Sequence, residues 1–138
     1  MLEREETPIP SKLAVIFLAA GNSSRMGQPK QLIPFRETLL LQYIIKQGLD
    51  LKEQRFSSLN LLYYCVLGFQ AKTISDKLDL AQCRLLKNHN WHHGLGSSIA
   101  CAIKALPPNT NGALLILGDQ WKLTTESLRS LILAWQQH

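Results

Sequence analysis

The sequence predicts an α/β fold in which helices alternate with the strands of a mostly parallel sheet. Two observations predict it. Near-continuous apolar runs, LAVIFLA at 13–19, LNLLYYCVLG at 59–68, CRLLKN at 83–88 and ALLIL at 113–117, have the pattern of strands covered on both faces. Between and after them come TLLLQYIIKQGL at 38–49, QAKTISDKL at 70–78, SSIACAIKAL at 97–106 and TTESLRSLILAWQQ at 124–137, whose apolar residues recur at helical spacing. Parallel strands need crossover connections, and a helix after each strand supplies them. At 138 residues, with 46% apolar and 18% charged, the chain suits one globular core rather than two.

Each element has its own signals. Residues 1–11 are acidic and carry prolines, so they read as a poorly ordered tail ahead of a domain over 12–138. They lack the basic start of a signal peptide, and the run 13–19 is too short to span a bilayer. Gly48 lies near the end of the helix expected over 38–49. Ser97 or Ser98 is the expected N-cap of the next long helix, and Pro107 and Pro108 stop it. The last helix opens with Thr-x-x-Ser. No internal repeat or low-complexity tract interrupts the pattern.

Charge and thiols bound the function. The net charge of +5 comes from scattered basic residues with no run of five, which argues against a nucleic-acid-binding arm. After residue 80 only Asp119 and Glu126 are acidic, a balance that suits an anionic small molecule as well as an ordinary solvated surface. Cys65, Cys83 and Cys101 form no C-x-x-C pair, and their odd number suggests buried thiols in a reducing, cytoplasmic setting.

The densest chemistry lies in LAAGNSSRMGQPK, Leu18 to Lys30, directly after the first apolar run. Backbone N–H groups reach phosphate oxygens only where side chains are small, and Ala19, Ala20, Gly21, Ser23, Ser24 and Gly27 meet that need. Arg25 and Lys30 add the positive charge that amides lack. The spacing is neither a Walker A motif nor G-x-G-x-x-G, and by composition alone a plain strand-to-turn junction accounts for it equally well. Neither serine lies in the G-x-S-x-G setting of a hydrolytic nucleophile.

The loops after Ala19, after Asn88 and at Gly118-Asp119 all follow strands, so a parallel sheet brings them to one edge, where ligands of such sheets bind. Gly94 and Gly96 permit close approach, and Ser97 and Ser98 can donate hydrogen bonds from a helix start. A carboxylate at a strand's end beside a polyphosphate, as Asp119 would be, can hold Mg2+, although a turn aspartate is the more common role. His89, His92 and His93 lie in a segment that Asn90 and Gly94 mark as a loop, without the helical spacing a metal site would use.

LAAGNSSRMGQPKQLIPF resembles the signature of the molybdenum cofactor nucleotidyltransferases, above all their cytidylyltransferase branch. NHNWHHGLGSSIACAIKAL (88–106) and GALLILGDQWKLTTESLRSLI (112–132) resemble two further segments of that family, in order. The resemblance implies a Rossmann-like, three-layer nucleotide-diphospho-sugar transferase fold. It implies transfer of CMP from CTP to molybdopterin, giving molybdopterin cytosine dinucleotide and pyrophosphate, with Mg2+ as cofactor and a molybdoenzyme or its chaperone as recipient. By the same resemblance Lys30, Arg25 and Asp119 are catalytic, with Asp119 the metal ligand. Leu18, Ala19, Ala20, Gly21, Ser23, Ser24, Gly27, Lys30, Asn88, Gly94, Gly96, Ser97 and Ser98 then surround the nucleotide. LAAG and Gly-Leu-Gly-Ser-Ser look like the cytidine branch.

The chain departs from the family pattern in two respects. Trp121 stands where proline usually follows Gly-Asp-Gln. Relatives also continue beyond this length with further strands, a second metal-ligating aspartate and much of the pterin pocket, so the fold is expected to be truncated. An open sheet edge would need cover, which a second copy of the chain could supply. The alternatives are a nucleotide-binding remnant or module without turnover, and a sugar-phosphate nucleotidyltransferase.

Overall fold

The computed structural model describes residues 9–22, 24–25 and 28–138, with the backbone alone at Ser24 and Arg25. The tail expected over 1–11 lies largely outside them. The elements are β1 (Ser11–Ala19), β2 (Ser24–Arg25), β3 (Gln28–Pro29), β4 (Pro34–Phe35), β5 (Thr38–Leu39), α1 (Leu40–Leu49), β6 (Leu59–Leu67), α2 (Ala71–Asp76), β7 (Arg84–Lys87), α3 (Leu95–Ala105), β8 (Gly112–Leu117) and α4 (Thr125–Gln136). β1 therefore starts two residues before the run expected at 13–19, with Ser11 paired to Leu59.

The main sheet has the order β7-β6-β1-β8, and each of its pairings is parallel. The chain moves outward from β1 to β6 and β7, then crosses back to β8 on the other side. One apolar cluster, with Val15, Phe17 and Ile116 from the strands, takes Ile44 of α1, Ile74 of α2, and Leu128 and Ile132 of α4. The other, with Ala14, Ile16 and Val66, takes Ala102 of α3. The two outward crossovers thus use one face of the sheet and the returning crossover uses the other, as a uniform crossover hand requires. Three layers result: helices, sheet, helix.

β1 is buried on both faces because both clusters draw on it, which is why its sequence shows no polar alternation. Thr124 and Ser127 form the capping box of α4: the Thr124 hydroxyl accepts from Ser127 N at 3.1 Å and Ser127 Oγ accepts from Thr124 N at 3.2 Å. The helix expected over 38–49 begins at Leu40, because Thr38 and Leu39 pair with Pro34 and Phe35 in a short hairpin. No helix among the described residues is long and apolar enough to cross a membrane.

Candidate active site

The strand order reverses at β1, so the carboxyl ends of β1 and β8 flank a topological switch point, where doubly wound sheets bind ligands. A cavity of about 190 Å³ lies there. Its walls are Leu18, Ala19 and Gly21 from the end of β1, Leu117, Gly118 and Asp119 from the end of β8, and Lys30 and Gln31 from the turn after β3.

Two local features shape it. A Cβ on Gly118 would stand 2.8 Å from Ala19 Cβ and 3.1 Å from Leu18 O, so glycine lets the end of β8 lie against β1. Gly118 N donates to Leu18 O at 2.9 Å and carries Asp119 to the rim. On the other wall Gln31 is 5% exposed, and its Nε2 donates to Ala19 O at 2.9 Å and reaches Gly21 O at 3.4 Å. That clamp fixes the short 3-10 turn Lys30–Leu32 over the end of β1. Gln31 Oε1 is buried without a hydrogen-bond partner among the described residues.

Lys30 and Asp119 meet with Nζ 3.4 Å from Oδ2, their side chains 29% and 52% exposed. A pair this long and this open to solvent contributes little to stability. Its partners are readily exchanged: the ammonium for a phosphate oxygen, the carboxylate for a cation.

A second cavity, of about 130 Å³, shares Leu18 and Gly21 with the first and is closed by Ala20, Trp91, Gly94, Leu95 and Ser98. Its far wall is the start of α3. That helix begins at Leu95 with Gly94 as N-cap, at φ 96°, and has no side-chain cap. The expectation that Ser97 or Ser98 caps it is therefore corrected. Gly94 adopts the left-handed turn that admits the chain, leaving both serines inside the first helical turns. Ser97 Oγ lies 2.9 Å from Asn90 O and 2.8 Å from Gly94 O as donor, and both serine hydroxyls accept from Asn88 Nδ2, at 2.9 and 3.0 Å.

Asn88 is 4% exposed, and its Oδ1 accepts from Asn90 N at 2.9 Å. Its amide is thus fully occupied in bracing the Asn88–Ser98 loop. Trp91 packs at the loop's center, with Phe69 at 5.2 Å between ring centroids. His92 and His93 complete a 3-10 turn with it, Trp91–His93.

Leu18, Ala19, Ala20, Gly21, Lys30, Gly94, Ser98 and Asp119 are thus brought together in the two adjoining cavities. Asn88 and Ser97 stand behind the loop and line a separate surface cavity with Lys87 and Lys104. Gly96 is exposed in the first turn of α3. Ser23, Met26 and Gly27 lie outside the described residues, as do the side chains of Ser24 and Arg25. Gln31 and Trp91 were not predicted as site residues. A glutamine wedged between the motif lysine and the apolar Leu-Ile run was the available signal for the first.

Comparison with known proteins agrees with this geometry. Residues 15–138 match the model of the MobA-like NTP transferase domain. The chain is 29% identical over 130 residues to the nicotine blue oxidoreductase of Paenarthrobacter nicotinovorans, covering 94% of this chain and 59% of that protein. It is also 29% identical over 122 residues to the molybdenum cofactor cytidylyltransferase of Escherichia coli K12, covering 88% and 58%. Among solved structures, Rv0371c of Mycobacterium tuberculosis H37Rv superposes with a TM-score of 0.67 at 29% identity, over 91% of this chain and 60% of that one. A nucleotidyl transferase of Methanothermobacter thermautotroptrophicus shares the fold, with a TM-score of 0.65 at 20% identity over 86% and 55%. The chain spans about three fifths of the length of the curated relatives it matches. With the family model running from within β1 to the last residue and taking in both Lys30 and Asp119, the chain belongs to the MobA-like NTP transferase family.

Proposed function

We propose that the chain is a nucleotidyltransferase that moves CMP from CTP to molybdopterin with release of pyrophosphate. The observation that carries this reading is the convergence of Lys30 and Asp119, 89 residues apart in sequence, on one cavity floored by the backbone of Leu18 to Gly21. In the proposed reaction a phosphate oxygen of the acceptor bonds to the α-phosphorus. The bond from that phosphorus to the bridging oxygen breaks, and pyrophosphate leaves with the electron pair. The chain itself positions and neutralises. Lys30 turns from Asp119 to the α-phosphate, the Gly21 loop offers N–H groups, and the cavity closed by Trp91 and Leu95 takes the base and ribose.

Asp119 is released from Lys30 by the same exchange. Among the described residues no three His, Cys, Asp or Glu side chains cluster to hold an ion alone. Asp119 would be the residue that holds Mg2+, as a single carboxylate suits this ion. The ion would supply positive charge to the phosphates and the leaving group. The choice of CTP over GTP rests on the resemblance of LAAG and GLGSS to the cytidine branch. A reducing cytoplasm as its location rests on the three unpaired cysteines, and a molybdoenzyme or its chaperone as recipient rests on the family.

The alternative reading is a nucleotide-binding module of the same fold without turnover. Pyrophosphate release with molybdopterin and Mg2+ under anaerobic conditions, CTP against GTP, tests both. Release with CTP supports transfer. A CTP-induced rise in melting temperature without release supports the module.

A further inference from the structure

We propose that Trp121, Phe35 and Arg36 form an acceptor platform beside the Lys30–Asp119 pair, built for a flat heteroaromatic ring that carries an anionic group. The inference rests on the nucleotidyl-transfer reading above, to which it adds the residues of this chain that would hold the acceptor. Of the three tryptophans, Trp91 and Trp135 pack against the two cores, whereas Trp121 joins neither. Its residue is 48% exposed, although it stands two positions past Asp119, with its N–H donating to Asp119 O at 3.0 Å. A large aromatic left half in water at the rim of a charged cavity offers a stacking face and does nothing for the core.

The face is continuous with a second element. Phe35, at the end of β4, lies 6.3 Å from Trp121 between ring centroids, tilted 59°, and 4.9 Å from Tyr43, edge to face. The Arg36 guanidinium is 5.4 Å from the centroids of both Phe35 and Tyr43, with Nη1 3.4 Å from Tyr43 Oη. Lys122 Nζ is 5.1 Å from the Trp121 ring centroid. Three aromatic rings thus carry two cations on their faces. The acidic side chains of this neighbourhood are Asp119, paired with Lys30, and the exposed Glu37. Lys122 is exposed and free to swing from the indole face to an anion, uncovering the ring for a stacked ligand.

The turn that presents Arg36 supplies an independent argument. Arg36 and Glu37 join β4 to β5 with φ 45° and 66°. A two-residue hairpin turn with both φ values positive is ordinarily Asn-Gly. Side chains with a Cβ are strained there, and such strain persists where the residue has a task. Here Arg36 covers Phe35, the ring that lies against Trp121. The acceptor's ring would lie on the indole, Arg36 and Lys122 would hold its charge, and its phosphate oxygen would face the α-phosphorus held by Lys30.

The test uses the full chain, pterin-6-carboxylate as a flat anionic probe, and CTP, each titrated calorimetrically, with tryptophan fluorescence read in parallel. The expected result is saturable binding of the probe with quenching of indole emission, weakened about tenfold or more by Trp121→Ala and about threefold or less by Trp121→Phe, as loss and retention of a stacking face predict. Arg36→Gly weakens the probe without lowering the melting temperature, since glycine relieves the turn, and CTP affinity is unchanged in every variant. Equal probe binding by wild type and Trp121→Ala, or no probe binding by wild type, overturns the proposal. Loss of CTP and probe together in Trp121→Ala also overturns it, because the indole then serves the nucleobase. Trp121-dependent probe binding without any binding of CTP or GTP overturns the nucleotidyl-transfer reading instead.

Discussion

Asn88 offers the sharpest test of how the loop over the second cavity is held. Its amide makes three hydrogen bonds, to Ser97 Oγ, Ser98 Oγ and from Asn90 N, at 2.9, 3.0 and 2.9 Å. Asn88→Ala removes all three, but the losses are unequal. Asn90 is exposed, so water replaces that bond at little cost. Ser97 keeps Asn90 O and Gly94 O within reach. Ser98 is 4% exposed and has no other partner among the described residues, so its hydroxyl is stranded. A stranded buried hydroxyl costs about 1–3 kcal/mol and each of the two replaceable bonds about 0.5 kcal/mol, which places the total at about 2–4 kcal/mol. Urea unfolding should show the midpoint fall with an unchanged slope. Ser98→Ala adds the decisive step. With Asn88 present it costs stability; in the Asn88→Ala background it removes the stranded group and becomes neutral or stabilising. A coupling of about 1–2 kcal/mol is therefore expected. Additivity within about 0.3 kcal/mol, or an Asn88→Ala cost below about 0.5 kcal/mol, would refute the brace.

Three further outcomes are expected. Lys30→Ala should weaken CTP binding by about 1.5–3 kcal/mol, the scale of a hydrogen bond to a charged group, with little change in unfolding free energy because the Lys30–Asp119 pair is solvent-exposed; calorimetric titration showing unchanged affinity removes Lys30 from the site. Asp119→Asn should abolish the Mg2+ dependence of CTP binding and leave the circular dichroism spectrum unaltered, and a variant that keeps the wild-type metal response excludes Asp119 as ligand. Burial pushes the Cys65 and Tyr63 acidities down, so both pKa values rise, and pushes the Cys83 thiol up to about 11. Their folded values exceed the unfolded ones, so this stability is intact below about pH 8.5 and is lost as the pH rises from there through 11. The loss is about 1.4 kcal/mol per pH unit for the fully buried Cys65 and less for half-buried Cys83, where solvent screens the charge. Urea midpoints that stay constant from pH 8 to about pH 10.5 contradict it.

The strands were legible because β1, β6 and β8 are apolar on both faces, a pattern only a covered parallel sheet explains. From that alone, the loops after Ala19, Asn88 and Leu117 had to share an edge, since parallel strands all end on the same side. What depended on conformation was not legible. The start of α3 was misplaced because two serines before an apolar stretch imitate a cap, whereas the positive φ of Gly94 sets the entry. The hairpin Pro34–Leu39 was invisible because Arg36-Glu37 carries none of the Asn-Gly signal that such a turn usually shows. Phe35 and Trp121 are 86 positions apart, and nothing local marks their approach. For Asn88 the sequence leaves a nucleotide-facing role and a strand-end turn equally open, and only the folded loop reveals that its amide is consumed by Ser97, Ser98 and Asn90.

Asp119 stands at the end of β8, an edge strand that among the described residues pairs with β1 alone. The strand GALLIL carries no charge or proline to guard that edge. Its two faces also differ: Leu114 and Ile116 pack in the cluster that holds α4, while Ala113 is exposed and Leu115 is 41% exposed on the other face. A sequence made for burial on both faces is thus covered on one, and the cavity's carboxylate depends on the stiffness of that half-supported strand. Cover by a second copy of the chain would stiffen it. Pyrophosphate release per chain should then rise with protein concentration across the range where sedimentation detects a dimer, and Leu115→Lys should abolish both the dimer and the rise. A release rate that stays proportional to protein concentration through the same range, with Leu115→Lys indistinguishable from wild type, would mean that β1 and the Gly118 contact hold Asp119 without help.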